Sequence, residues 1–140
     1  MILMEPRLIK GSCHQDHRGT ICFNNEFNAL GIKRMYTIQN AETHFVRAWQ
    51  GHQTEQRWFS AVAGSFIIKL IKIDSWENPA KDLPLVELVL KSESLDVLHV
   101  PAGYISSIQS LEADSKLLVF ADYILGEIAD EYRFPADYFN

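Results

Sequence analysis

The apolar residues of this chain come in short bursts, rich in β-branched and aromatic side chains and broken by clusters of turn formers. TICF (20–23), IKRMYTI (32–38), FVRAWQGH (45–52), RWFSAV (57–62), SFIIKLIKI (65–73), PLVELVL (84–90), DVLHV (96–100) and KLLVFADYI (116–124) each have the length and composition of a strand. NNEFNALG, AGS, DSWENPAKD and LEADS lie between them and carry the Gly, Pro, Asn, Asp and Ser that turns require. Closely spaced strands predict an all-β barrel or double-sheet jelly roll, which leaves few open sheet edges. SFIIKLIKI is apolar on both faces: Phe66, Ile68 and Leu70 are expected to fill the barrel, and Ile67, Ile71 and Ile73 to meet a second subunit. The tail GEIADEYRFPADYFN predicts a short helix at 126–132, or an irregular segment, before Pro135. Its aromatics Tyr132, Phe134, Tyr138 and Phe139 are expected to cover an open barrel end or a partner.

Composition narrows the function classes. A chain of 140 residues with 47% hydrophobic content suits one domain, 1–140, with its own core. Thirteen basic against 18 acidic residues leave a net charge of -5 and no basic run, which disfavours a nucleic-acid surface. Arg18, Arg34, Arg47 and Arg57 can still meet phosphates locally. No segment has the length of a membrane span, and the start is apolar for only four residues before Glu5, so neither a membrane partner nor a leader is expected. Cys13 and Cys22 are spaced unlike a zinc motif and read as small, reduced side chains of a cytoplasmic protein.

Candidate chemistry concentrates in RAWQGHQTEQRWFSAVAGSF (47–66). Strand alternation puts Val46, Ala48, Gln50 and His52 on one face, and Phe45, Arg47, Trp49 and Gly51 on the other. Downstream, VPAGYISS (100–107) supplies a turn with Pro101 and Gly103. Together these segments resemble the two motifs of the cupin superfamily, whose metal-binding places fall on Gln50, His52, Arg57 and Ser106. Only His52 is a metal ligand, and a guanidinium there repels a divalent cation, so a metal-free site without a cofactor is expected.

A closer resemblance is carried by DHRG (16–19), IKRMYTI (32–38), residues 46–74, VLHVPAGY (97–104) and SKLLVFADYIL (115–125). These are similar to the RmlC-like cupins acting on dTDP-linked keto-sugars, in two branches: 3,5-epimerases and 3,4-ketoisomerases. The fold implied is a double-stranded β-helix. In the ketoisomerase pattern Asp16 and Arg18 match an Asp-x-Arg-Gly stretch near the nucleotide diphosphate, and Lys33, Arg34 and Tyr36 match a stretch whose tyrosine is an active-site acid. Gln50 and His52 match a pair of histidines, the first of which is missing. In the epimerase pattern the active-site lysine falls on Arg57, while the catalytic tyrosine has no match among Leu118, Val119 and Phe120. The resemblance therefore implies catalytic roles for His52, Tyr36, Arg57 and Gln50, with Arg18 and Arg47 as substrate nucleotide-binding residues. It implies a homodimer acting on a dTDP-sugar in deoxysugar and surface polysaccharide biosynthesis. The alternative is an impaired cupin that binds a sugar nucleotide or a partner without turnover, because an amide at position 50 is no base.

Plainer readings stand beside these. His52 and Tyr36 fit hydrogen-bonded interior side chains, and Arg18 and Arg47 fit surface ion pairs. Trp49 and Trp58 fit core or dimer contacts better than sugar stacking. His14, His17, His44 and His99 match no active-site place.

Overall fold

The computed structural model describes residues 4–139. The first three residues, part of the opening stretch considered for a leader, lie outside it. Twelve strands run in chain order: β1 Arg7–Ile9, β2 Ser12–Asp16, β3 Gly19–Phe23, β4 Arg34–Ile38, β5 Val46–His52, β6 Arg57–Ala63, β7 Ser65–Lys72, β8 Leu85–Lys91, β9 Val97–Val100, β10 Tyr104–Ser110, β11 Lys116–Ala121 and β12 Tyr132–Arg133. Two five-stranded antiparallel sheets, β1-β9-β6-β11-β4 and β12-β5-β10-β7-β8, enclose the core, and β2 and β3 form a separate ribbon. This is the all-β, double-sheet architecture that the strand pattern predicts.

The inner faces interdigitate as the alternation predicts. Phe59, Leu98, Leu117 and Val119 of one sheet pack against Phe66, Ile68, Leu70, Leu90 and Ile108 of the other. Each such side chain removed from water contributes about 1.5–3 kcal/mol before chain entropy is subtracted. β10 has no counterpart among the predicted strands. Ser106, Ser107 and Ser110 interrupt its apolar pattern, yet it is the central strand between β5 and β7, with Ser107 and Ser110 buried. Gly64 closes the turn from β6 to β7 at φ 67°, and a side chain there would run into Ser115.

The tail takes the irregular of the two forms expected for it. Among the described residues 126–132 is no helix: Glu127 N–H bonds Ile124 C=O in a turn at 3.0 Å, and Gly126 adopts φ 82°. Beyond it, Tyr132 and Arg133 pair with Gly51 and Gln50 of β5, and Phe134 exchanges two main-chain hydrogen bonds with Trp49. Sheet pairing thus takes up the amides a helix would have used. Phe134 and Phe139 then pack on the outer face of this sheet, over Trp49, Ile71 and Ile105, with Ile73 and Trp76 alongside. The chain's own tail, rather than a barrel end or a second subunit, covers Ile71 and Ile73.

The cysteines also differ from the expectation of reduced thiols. Cys13 and Cys22 stand directly opposite each other in the β2–β3 ribbon and form a disulfide. Cross-strand register brings them together, and spacing in the sequence does not reveal it. Among the described residues no helix is long and apolar enough to cross a membrane.

Candidate active site

Between the sheets lies a cavity of about 780 Å³, lined by β4, β5, β6 and β10 and by residues 124–132, a strap laid across the strands. Strand β5 carries a bulge. Gln50 faces Ser106 of β10 and Arg47 faces Ile108, so Ala48 and Trp49 stand together against Ser107. The extra residue reverses the expected alternation upstream of it. Arg47 joins Gln50 and His52 on the cavity wall, while Trp49 keeps the outward face expected of it, in the cluster under the tail.

Four side chains form a connected polar chain on the barrel strands. Tyr36 Oη accepts from the Arg57 guanidinium. Arg57 Nε and Nη2 both donate to Glu55 Oε2, the former at 2.9 Å, and the same oxygen lies 3.4 Å from His52 Nδ1. Glu55, Arg57 and His52 are all buried. The imidazole is oriented by a second contact, Nδ1 to the Asp130 main-chain carbonyl at 2.9 Å. A carbonyl only accepts, so Nδ1 carries the proton, and neutral His52 keeps its lone pair on Nε2.

The strap is clamped from the other side. The Asp130 carboxylate accepts from the main-chain N–H groups of Gln53, Thr54 and Glu55 at 2.9, 2.9 and 2.7 Å. It thereby satisfies the turn between β5 and β6 and holds His52 and Glu55 in place. Next to it, Glu131 Oε1 accepts from Gln50 Nε2 at 2.5 Å.

Burial dominates the electrostatics. It lowers the His52 pKa from its ordinary 6.5, helped by the Arg57 charge and opposed by Glu55 and the Asp130 carbonyl. Near neutral pH His52 is therefore an uncharged base. Burial raises the Tyr36 pKa, opposed by Arg57 and Arg34, so its hydroxyl stays protonated and available as a donor. The arginine ion pairs among the described residues are Arg18–Asp16, Arg57–Glu55 and Arg133–Glu131. Arg34 and Arg47 thus bring unpaired charge to the cavity, Arg34 stacked 4.8 Å over the Tyr36 ring and Arg47 with Nε 3.4 Å from Asn40 Oδ1.

Of the residues singled out in the sequence, Tyr36, Arg47, Gln50, His52 and Arg57 line this one cavity. Arg18 lies elsewhere, on the exposed turn of the β2–β3 ribbon, paired with Asp16 at 2.7 Å. Trp58 and His99, on β6 and β9, stack on each other at 4.9 Å outside the lining. Ser106 Oγ donates to the Gln50 carbonyl at 3.4 Å. At the four cupin metal places the donor set is therefore an amide, one imidazole, a paired guanidinium and a hydroxyl, which does not fit a divalent ion. Glu55, Asp130, Glu131 and Tyr104 also line the cavity and were not singled out. Glu55 was findable, as a carboxylate between His52 and Arg57. Asp130 and Glu131 lie about eighty residues away along the chain and gave no local signal.

A family model described as FdtA: WxcM-like, C-terminal matches residues 4–139. The chain belongs to this family. No curated relative matches it in sequence. Among solved structures, a mutant of the 3,4-ketoisomerase QdtA from Thermoanaerobacterium thermosaccharolyticum in complex with TDP-4-keto-6-deoxyglucose superposes with a TM-score of 0.71 at 20% identity, covering 98% of this chain and 93% of that one. The WlaRB TDP-quinovose 3,4-ketoisomerase from Campylobacter jejuni gives 0.69 at 20% identity, covering 97% and 98%. The RmlC epimerase of Mycobacterium tuberculosis gives 0.72 at 14% identity, covering 94% and 69%. At these identities the likeness is one of fold: this WxcM-like chain shares the fold of those three proteins.

Proposed function

We propose that the protein is a metal-independent isomerase of a nucleotide-linked 4-keto-6-deoxyhexose, acting as a 3,4-ketoisomerase on a dTDP-sugar. The observation that carries this reading is the Tyr36–Arg57–Glu55–His52 chain on the wall of a cavity of about 780 Å³. That volume is in the range of small-molecule sites. Moving a ketone to the neighbouring carbon needs a base near neutral pH and a cation or donor at the oxygen where enolate charge develops. His52 Nε2 answers the first need, and Arg57 with the Tyr36 hydroxyl answers the second. Arg47 and Arg34 are charges for a diphosphate. The fold-level likeness to QdtA and WlaRB, both 3,4-ketoisomerases, supports the same class.

In this reading the protein works as a homodimer, supplying a deoxysugar for surface polysaccharide. Ile21 and Met35 are 62% and 71% exposed, apolar surface suited to a second copy. The β2–β3 ribbon of one subunit would then bring Arg18 to its neighbour's nucleotide. Light scattering at micromolar concentration should give twice 16.0 kDa, and a monomer mass would remove the shared-site arrangement.

The direct test is incubation with dTDP-4-keto-6-deoxyglucose in deuterated water, followed by NMR. Deuterium should enter at a ring carbon beside the ketone and a new keto-sugar should accumulate. A sugar nucleotide that binds but keeps every carbon-bound proton points to the second reading, binding without turnover, which the amide at Gln50 favours. Recovery of turnover in Gln50→His alone would establish that second reading.

A further inference from the structure

We propose that Glu131, on the strap, is a catalytic carboxylate standing in for the histidine that is missing at position 50; this rests on the isomerase reading above. Gln50 projects from β5 into the cavity, and its amide tip is hydrogen-bonded to Glu131 Oε1 at 2.5 Å. A group able to take up a proton therefore sits one hydrogen bond beyond an amide that cannot. Its placement does not depend on a loose loop. Arg133 pairs with Gln50 and Tyr132 with Gly51 in the β12–β5 ladder on one side, and Asp130 is clamped by three main-chain amides on the other. The remaining oxygen, Oε2, lies 3.3 Å from Arg133 Nη2, an exposed contact that leaves the carboxylate accessible.

The cavity offers two other carboxylates, Asp130 and Glu55, and their surroundings exclude them from this role. That of Asp130 is taken up by three main-chain amides. Glu55 Oε2 is taken by the Arg57 guanidinium and the His52 ring, in a buried setting. A carboxylate buried between a guanidinium and an imidazole is a poor base and a good anchor, whereas the contacts of Glu131 are to a neutral amide and an exposed arginine. Glu55 positions the histidine and arginine, and Glu131 meets the substrate.

A carboxylate base beside a neutral imidazole suits the isomerisation of a hydroxyketone through an enediol, a pairing known from a triose isomerase. Glu131 relieves His52 of the carbon-bound proton: it takes that proton from the carbon that bears the hydroxyl, the C–H pair becomes the C=C bond, and the ketone oxygen takes the negative charge beside Arg57. His52 Nε2 then removes the hydroxyl proton and hands it to that oxygen, returning to its neutral form. The second oxygen, now anionic, re-forms a carbonyl, and the C=C pair takes the proton back from Glu131 at the former carbonyl carbon. No proton or electron is gained or lost.

The test compares wild type, Glu131→Gln, Glu131→Asp and the double variant Gln50→His/Glu131→Gln. Each is measured for deuterium entry from solvent into dTDP-4-keto-6-deoxyglucose, for calorimetric binding of dTDP, and for thermal midpoint. Glu131→Gln should lose about 100-fold or more in exchange and turnover, the scale of one general base, with dTDP affinity and midpoint retained. Glu131→Asp should keep part of the rate and the same fold, so the role remains measurable if the amide variant folds poorly. The double variant should exceed Glu131→Gln, because an imidazole then occupies the base position. Wild-type turnover with Glu131→Gln within about threefold of it overturns the role of Glu131 and leaves the isomerase reading intact. Wild type that exchanges no proton overturns both.

Discussion

The two walls of the cavity hold their polar groups in opposite ways. On the barrel wall, Arg57 of β6 and Glu55 of the turn before it are buried at 9% and 7% exposure, and their side chains are held by other charged or hydrogen-bonding side chains. On the strap, Glu131 and Arg133 are exposed, and what holds the segment is main chain: a short ladder with β5 and the amides gathered by Asp130. A buried charge pair is strongly held and intolerant of loss of one member, whereas an exposed carboxylate on a pinned backbone is free to change its proton without disturbing the fold. The strand wall therefore suits positioning, and the strap suits the group that reacts.

The largest effect expected from this contrast is at Arg57. Arg57→Met leaves Glu55 buried without its cation, and urea denaturation should show a loss of about 3–5 kcal/mol. A loss below 1 kcal/mol would mean that the pair is solvated and that the strand wall is no more rigid than the strap. Asp130→Ala comes next. It strips the acceptor from the N–H groups of Gln53, Thr54 and Glu55, at a cost of about 2–3 kcal/mol. Amide exchange should rise in both the strap and the turn before β6, and faster exchange in the strap alone would show that the clamp works in one direction only.

His52 touches both walls, and its titration should report on them. Its folded pKa lies below the unfolded value of 6.5, chiefly through burial. The unfolded chain therefore binds more protons as pH falls below about 6.5, and stability drops until pH passes the lowered folded value. Denaturation at pH 7.5 and 5.5 should show a smaller acid loss in His52→Asn than in wild type. His99 is lowered for the same leading reason, burial, yet it stacks on Trp58 away from the cavity, so His99→Gln should reduce the acid loss without altering ligand binding. An unchanged pH dependence in His52→Asn would contradict its burial as a neutral base. The smallest effect is expected at Glu131. Glu131→Gln should shift stability by less than about 0.5 kcal/mol, as exposed substitutions do, which separates its cost to folding from its cost to catalysis.

Much of the strand wall was legible in the chain. Short β-branched and aromatic runs bounded by turn formers specify β4, β6, β7, β9 and β11, because such side chains pack well on a pleated, half-buried surface. Spacing within 47–66 likewise brought Gln50, His52 and Arg57 to one site, since residues a few positions apart on paired strands remain neighbours after folding. β10 was not legible, because its serines blur the alternation while its neighbours β5 and β7 supply the burial. The facing of Arg47 was not legible either: one extra residue in β5 exchanges inside for outside upstream of Trp49, which keeps its expected face, and nothing in AWQ announces a bulge. The disulfide, the strap and the placement of Glu131 against Gln50 depended on register between segments far apart in sequence. Local patterning determines which face of an element seeks the core. Only the tertiary fold decides which distant backbone offers the matching hydrogen bonds, and here that decision put a carboxylate from the tail beside the amide on β5.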